Sequence, residues 1–215
     1  MRRDEQVRLI EQSAIIAIVR LDHSRELVQV ARAIAEGGVR AIEFTMTTPN
    51  ALQTITATAK ELGDRILLGA GTVLDAETAR AAILAGAEFV VAPTLNQKVI
   101  ETCHRYDKAV IPGAYTPTEV LTAWEWGADL VKVFPADAGG PAYLRAISAP
   151  LPQIRLVAVG GVSLENAAQF VHAGARAVGV GSHLVDKKLV AEGRFEALTD
   201  RAKAFVAAVG AVRPA

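Results

Sequence analysis

The sequence predicts a (β/α)8 barrel, on three observations. Short runs rich in Val, Ile and Ala alternate with longer helical patterns from end to end. A helix-ending glycine followed by a strand recurs four times, at intervals of roughly two βα units. The chain has 215 residues, close to the lower bound for this fold, so its loops must be short.

The strands are expected at 14–19, 41–45, 66–71, 89–93, 109–113, 130–134, 155–160 and 177–181. Each is short, apolar and rich in small or β-branched residues, as strands buried between helices on one face and a core on the other must be. Strand 1 ends at Arg20, strand 2 (AIEFT) contains Glu43, and strand 3 ends at Gly71 before Thr72. Strand 4 runs to Pro93, strand 6 (LVKVF) contains Lys132, and strand 7 runs into Gly160 and Gly161. Strand 8 ends at Gly181, before Ser182. Helical patterns at 24–36, 49–62, 75–85 and 163–172 alternate with these runs. Ser24, Asp75, Thr116 before Pro117, and Ser163 are the expected N-caps. One barrel domain covering residues 1–215 accounts for the whole chain.

The repeated glycines are Gly38, Gly86, Gly127 and Gly174, ahead of strands 2, 4, 6 and 8. Each is expected to be the left-handed residue that stops a helix. Counting the same five residues on from each reaches Glu43, Val91, Lys132 and Gly179. Alternate strands of a barrel contribute side chains to one interior layer. The count therefore places Glu43 and Lys132 in a single layer, with Val91 and Gly179 leaving it roomy.

Hydrophobic residues make up 51% and charged residues 21% of the chain, the balance of a globular chain and not of a disordered one. Basic and acidic residues number 23 each, and no basic segment stands out, which argues against nucleic acid as a partner. A single cysteine, Cys103, excludes an intramolecular disulfide and fits a reducing compartment. The charged N-terminus shows no signal-peptide pattern, and no apolar stretch is long enough to span a membrane uninterrupted.

Lys132 and Glu43 are charges in buried strands, costly unless paired or used. One reading is an internal ion pair, which stabilises little because desolvation offsets the attraction. The other is chemistry at the C-terminal mouth of the barrel. Burial favours the neutral amine, a nucleophile that adds to a ketone and gives an iminium ion after loss of water. A neighbouring C–C or C–H bond can then break, with Glu43 moving the protons.

VAVGGVS (157–163) and VGVGSH (178–183) close strands 7 and 8, where this fold usually holds phosphate. Gly160, Gly161 and Gly181 let backbone N–H groups approach an anion, and Ser182 adds a hydroxyl. Arg20 can pair with a carboxylate or phosphate. Thr45, Thr47, Thr48 and Thr72 can hold a carboxylate, and Pro93 and Phe134 can wall an apolar pocket. His23 and His183 follow neighbouring strands, but no histidine pair has metal-ligand spacing, so no metal is expected. Cys103 reads as a packing residue in a helix.

IEFT (42–45), GAGTV (69–73), VKVFPA (131–136) and VGGVS (159–163) together resemble the 2-keto-3-deoxy-6-phosphogluconate / 4-hydroxy-2-oxoglutarate aldolase family. The resemblance runs in order from about Ala14 to Leu184. It implies a cofactor-free class I aldolase, a homotrimeric cytoplasmic barrel of the Entner–Doudoroff type. Such an enzyme cleaves a phosphorylated keto sugar acid to pyruvate and glyceraldehyde 3-phosphate. It further implies Lys132 as the Schiff-base lysine and Glu43 as the general acid/base. Thr72, Pro93 and Phe134 are implied around the pyruvyl group, and Gly160, Gly161 and Ser182 at the phosphate. Thr47 stands where some members carry an arginine, and Arg20 is placed to supply that charge, as in the phosphogalactonate branch. Cleavage of 4-hydroxy-2-oxoglutarate is the third activity the resemblance brings in. Two rival readings are a phosphosugar isomerase or epimerase using Glu43 as base, and a catalytically silent sugar-phosphate-binding barrel. The alanine-rich tail from Arg194 is expected to pack either on the barrel or on a neighbour.

Overall fold

The computed structural model describes residues 1–212; positions 213–215, the end of the expected domain, lie outside the described residues. Nine parallel strands form one sheet: β1 (Ile15–Val19), β2 (Ala41–Thr45), β3 (Leu67–Gly71), β4 (Phe89–Val91), β5 (Ala109–Ile111), β6 (Gly113–Ala114), β7 (Val131–Val133), β8 (Leu156–Val159) and β9 (Ala175–Val180). The order β5-β4-β3-β2-β1-β9-β8-β7-β6 puts β5 and β6 at the two edges. They are one barrel strand, interrupted at Pro112, which has no N–H for a ladder. The Lys132 N–H donates to the Pro112 carbonyl at 2.9 Å, and the Ala92 N–H donates to Ile111 at 3.1 Å. Hydrogen bonds on both sides of this broken strand close the barrel, and eight strands are the expected eight.

The helices are α1 (Arg3–Ser13), α2 (Leu27–Glu36), α3 (Ala51–Leu62), α4 (Ala76–Ala85), α5 (Gln97–Arg105), α6 (Pro117–Glu125), α7 (Gly140–Ser148), α8 (Ala167–His172), α9 (Lys187–Ala191) and α10 (Phe195–Gly210). Among the described residues, no helix is long and apolar enough to cross a membrane. Gly38, Gly86, Gly127 and Gly174 all take positive φ, between 93° and 116°, as the repeat requires.

Two of the four expected caps are corrected. Asp75 accepts from the Thr78 N–H at 2.6 Å, and Thr116 forms a capping box with Glu119. Ser24 does not cap: α2 begins at Leu27, because His23 and Glu26 pair at 2.9 Å and hold the preceding residues in a turn. Ser163 does not cap either. Its N–H donates to Asn166 Oδ1 at 2.8 Å, while Asn166 Nδ2 donates to the Gly161 carbonyl at 2.9 Å. That turn delays α8 to Ala167.

Period-two alternation sorts the apolar side chains into two cores. Outward-facing residues such as Ile42, Phe44, Val90 and Val131 pack under the helices. Inward-facing Ile16, Leu67, Phe89, Val91, Ile111 and Val157 fill the barrel, joined by Val7 and Ile10 of α1. So α1, which carries no expected role, plugs the N-terminal end. Its Gln6 is fully buried: Nε2 donates to Glu88 Oε2 at 2.9 Å, and Oε1 accepts the Ala109 N–H at 2.8 Å. Gln6→Leu leaves that strand N–H buried without a partner. The expected cost is about 1–3 kcal/mol, read as a fall of several degrees in the calorimetric midpoint with activity retained.

The C-terminal helix packs on this chain's own barrel. A Cβ at Gly37 would stand 2.4 Å from Ala202 Cβ, and the Thr199 hydroxyl donates to the Ala33 carbonyl at 2.8 Å. Glycine at the end of α2 is what lets α10 approach so closely.

Candidate active site

A cavity of about 370 Å³ opens where the C-terminal ends of the strands converge. Its floor and walls include Arg20, Glu43, Thr72, Pro93, Lys132, Phe134, Gly160, Gly161, Gly181 and Ser182. Ten of the eleven expected residues are thus brought together. Thr47 is not among the lining residues. Its hydroxyl lies 3.1 Å from that of Thr45, which in turn is 3.3 Å from the Thr48 hydroxyl. The Leu21 N–H donates to Thr48 Oγ1 at 3.4 Å, tying this threonine cluster to the residue after Arg20.

Glu43 and Lys132 both point into the barrel and are only 2% and 6% exposed. Glu43 pairs in register with Ile18 on one side and Gly69 on the other. Lys132 pairs with Gly113 and Val157. The carboxylate lies over Gly71, where an added Cβ would stand 2.3 Å from Oε1. The Lys132 Nζ sits 4.7 Å from the centroid of the Phe134 ring, a cation–π contact that walls the amine on one side. Among the described residues, the two charges influence each other but close no salt bridge.

Burial sets the electrostatics. Desolvation pushes the Glu43 carboxyl up to about 7, opposed first by the positive charge of Lys132 and then by Arg20. Desolvation also draws Lys132 below the ordinary lysine range; Glu43 opposes this and Arg20 adds to it. A low-pKa amine and a carboxyl that titrates near neutrality thus share one apolar-walled space. Arg20 Nη2 donates to Thr72 Oγ1 at 3.4 Å, and Thr72 is held in the left-handed region at φ 60°.

At the other side of the cavity, Gly160 and Gly161 take φ values of 107° and 61°. Gly161 abuts Asp137, whose Cβ would be 2.4 Å from an added Cβ. Both the backbone turn and this close approach require glycine. Nothing lies within 4 Å of a Cβ placed on Gly181, so its surface is open to the cavity. Among the described residues, no hydrogen bond engages the backbone N–H of Gly161, Ser182 or His183.

Several lining residues had no assigned part in the sequence. Ile18, Val159, Val162 and Val185 supply apolar wall, and His183 and Lys187 supply polar side chains at the rim. Alternation along strands 1 and 7 already points Ile18 and Val159 inward; no periodicity marks Lys187. Cys103 is buried in α5 with its thiol pushed up to about 12, by desolvation and then by Asp129, which leaves it an inert packing group.

A closed parallel barrel whose mouth holds a desolvated lysine opposite a proton-holding carboxyl defines an imine-forming carbon–carbon lyase, a class I aldolase. Comparison with known proteins makes the assignment narrower. The profile of the family "KDPG and KHG aldolase" matches residues 7–200. The 2-dehydro-3-deoxy-phosphogluconate aldolase of Treponema pallidum is 38% identical over 94% of this chain and 96% of its own. The 2-dehydro-3-deoxy-6-phosphogalactonate aldolase of Escherichia coli is 40% identical over 79% of this chain and 83% of its own. Among solved structures, the KDPG aldolase of Legionella pneumophila, with pyruvate captured as a covalent carbinolamine intermediate, superposes with a TM-score of 0.87 at 25% identity, over 93% of this chain and 97% of that one. This chain belongs to the KDPG and KHG aldolase family.

Proposed function

We propose that the protein cleaves 2-dehydro-3-deoxy-6-phosphogluconate to pyruvate and D-glyceraldehyde 3-phosphate, through an imine on Lys132. The carrying observation is the pair itself: Lys132 and Glu43 are both buried, face one cavity and are not locked in a salt bridge. A structural pair would gain from closing its contact; a working pair needs the room between for substrate.

The neutral amine of Lys132 adds to the C2 ketone, and Glu43 supplies the proton that carries off water. The iminium then draws electrons from the C3–C4 bond while Glu43 accepts the C4 hydroxyl proton, so the aldehyde leaves. Glu43 returns a proton to C3 of the enamine, and hydrolysis frees pyruvate. Thr72, Pro93 and Phe134 surround the pyruvyl part, and Gly160, Gly161, Gly181 and Ser182 hold the phosphate through neutral donors. The same reading makes the chain, taken as one domain, a homotrimeric cytoplasmic enzyme of Entner–Doudoroff-type sugar-acid catabolism. The family resemblance supports this.

A second substrate, the C4 epimer 2-dehydro-3-deoxy-6-phosphogalactonate, is favoured by one observation. Arg20 lines the cavity while Thr47 does not, so among the described residues the guanidinium there comes from the segment after β1. Pyruvate release from each epimer and from 4-hydroxy-2-oxoglutarate, measured in a coupled assay, decides among them. The gluconate substrate should give the highest kcat/KM. Preference for the galactonate epimer would transfer the assignment, and no release from any of the three would refute it.

Arg20 has a separate test. Its charge lowers both Glu43 and Lys132, so Arg20→Met should raise both. Both limbs of the pH–rate profile are then expected to move to more alkaline pH. KM should also rise, by about 10-fold, the worth of one charge-assisted contact. A profile that does not move would place the guanidinium outside the reacting pair's field.

A further inference from the structure

The charges around the cavity are unevenly placed. Arg20 acts on Glu43 and Lys132, the end where bonds change. The stretch of the rim at Gly160, Gly161 and Ser182 offers neutral donors, with the Asp137 side chain against Gly161, yet a phosphate monoester carries nearly two negative charges. With formal net charge zero, the chain gives no bulk attraction to make up the difference. Two other lining residues carry basic side chains, His183 and Lys187.

Lys187 is already engaged. Its Nζ donates to both oxygens of Asp22, at 2.7 and 2.9 Å. Asp22 follows β1 and Lys187 opens α9 beyond β9, strands that are direct neighbours in the barrel. The pair therefore bridges two adjacent segments of the rim. Asp22 is not a lining residue, whereas Lys187 is. The side chains are 80% and 54% exposed, and so exposed an ion pair contributes little to stability and is easily exchanged. A lysine stem is long and flexible enough to swing its ammonium between neighbouring anions.

We propose that Lys187 is a specificity-determining residue for the substrate's terminal phosphate, and that Asp22 holds it at the rim until the phosphate takes the carboxylate's place. This rests on the proposed phosphorylated substrate and extends it: the neutral grip positions the phosphate, and Lys187 supplies the charge that separates phosphorylated from unphosphorylated keto acids. Asp22 prevents an unpaired ammonium from trapping any passing anion in the empty cavity.

The test combines steady-state kinetics with calorimetric titration of glycerol 3-phosphate. Lys187→Met keeps the stem and removes the charge. Its KM for the phosphorylated acid should rise about 10-fold with kcat nearly retained, and its KM for 4-hydroxy-2-oxoglutarate should change much less. Asp22→Asn should lower the KM for the phosphorylated acid several-fold, and should do nothing in the Lys187→Met background. Equal KM changes for both substrates, or none, would overturn the proposal. If the wild type releases no pyruvate from the phosphorylated acid, the functional assignment fails by itself. The titration then still decides Lys187: weaker glycerol 3-phosphate binding in Lys187→Met upholds it, and unchanged binding overturns it.

Discussion

Lys132→Met is expected to abolish cleavage, a loss of at least about 10⁴-fold in kcat, while the protein stays folded. Methionine keeps the length and bulk of the lysine stem in a strand that is buried throughout. It removes the buried amine placed beside Glu43 to form the imine. It also removes a group that paid for its burial, so the thermal midpoint should hold or rise. A coupled pyruvate assay and a melting curve on the same preparation check both halves. Activity within tenfold of the wild type would exclude the covalent mechanism, and an unfolded variant would make Lys132 a structural partner of Glu43.

Glu43→Gln should lose about 10²–10⁴-fold in kcat, the usual worth of a positioned general acid/base. The amide preserves the shape that fits over Gly71 but cannot carry protons. In the wild type, a carboxyl near 7 should appear as an inflection in the pH–rate profile close to neutrality. The variant should lack it.

The same substitution has a stability signature. The folded-state pKa is raised from the ordinary glutamate value of 4.5 to about 7. Between those two values the folded chain holds more protons than the unfolded one, so stability falls as pH rises through that window. The full shift is worth roughly 3 kcal/mol. Glutamine escapes this penalty. Glu43→Gln should therefore match the wild type below pH 4.5 and exceed it at pH 8, measured by urea unfolding at both. A variant less stable at pH 8 would mean the carboxylate is held by a favourable partner.

The pairing of Glu43 with Lys132 was legible because backbone geometry writes it into the sequence. Each helix-stopping glycine fixes where the next strand begins, and period-two alternation then fixes which residues face inward. Gly38 and Gly127 in the left-handed region are what made the same count valid on strands on opposite sides of the barrel. The conformations of Gly160 and Gly161 were legible for a related reason, since they answer to backbone constraints that few other residues meet.

What stayed hidden depends on contacts between distant segments. The caps at Ser24 and Ser163 failed because His23–Glu26 and the Asn166 side chain shape the turns before the helices. Local propensity cannot see such competition. The plug formed by α1 follows from Gln6 meeting the Ala109 N–H, 103 positions away. Thr47 is not a lining residue, and its hydroxyl meets that of Thr45, a choice no spacing rule makes. Lys187 comes to the rim through a pairing with Asp22 across 165 positions.

The most direct measurement is borohydride reduction of the protein in the presence of pyruvate, followed by intact mass and peptide mapping. One reduced pyruvyl adduct per chain is expected, on the peptide containing Lys132, and absent from Lys132→Met. No adduct on the folded wild-type protein, or an adduct on any other lysine, would contradict imine catalysis at this site and leave Lys132 as the buried neighbour of Glu43.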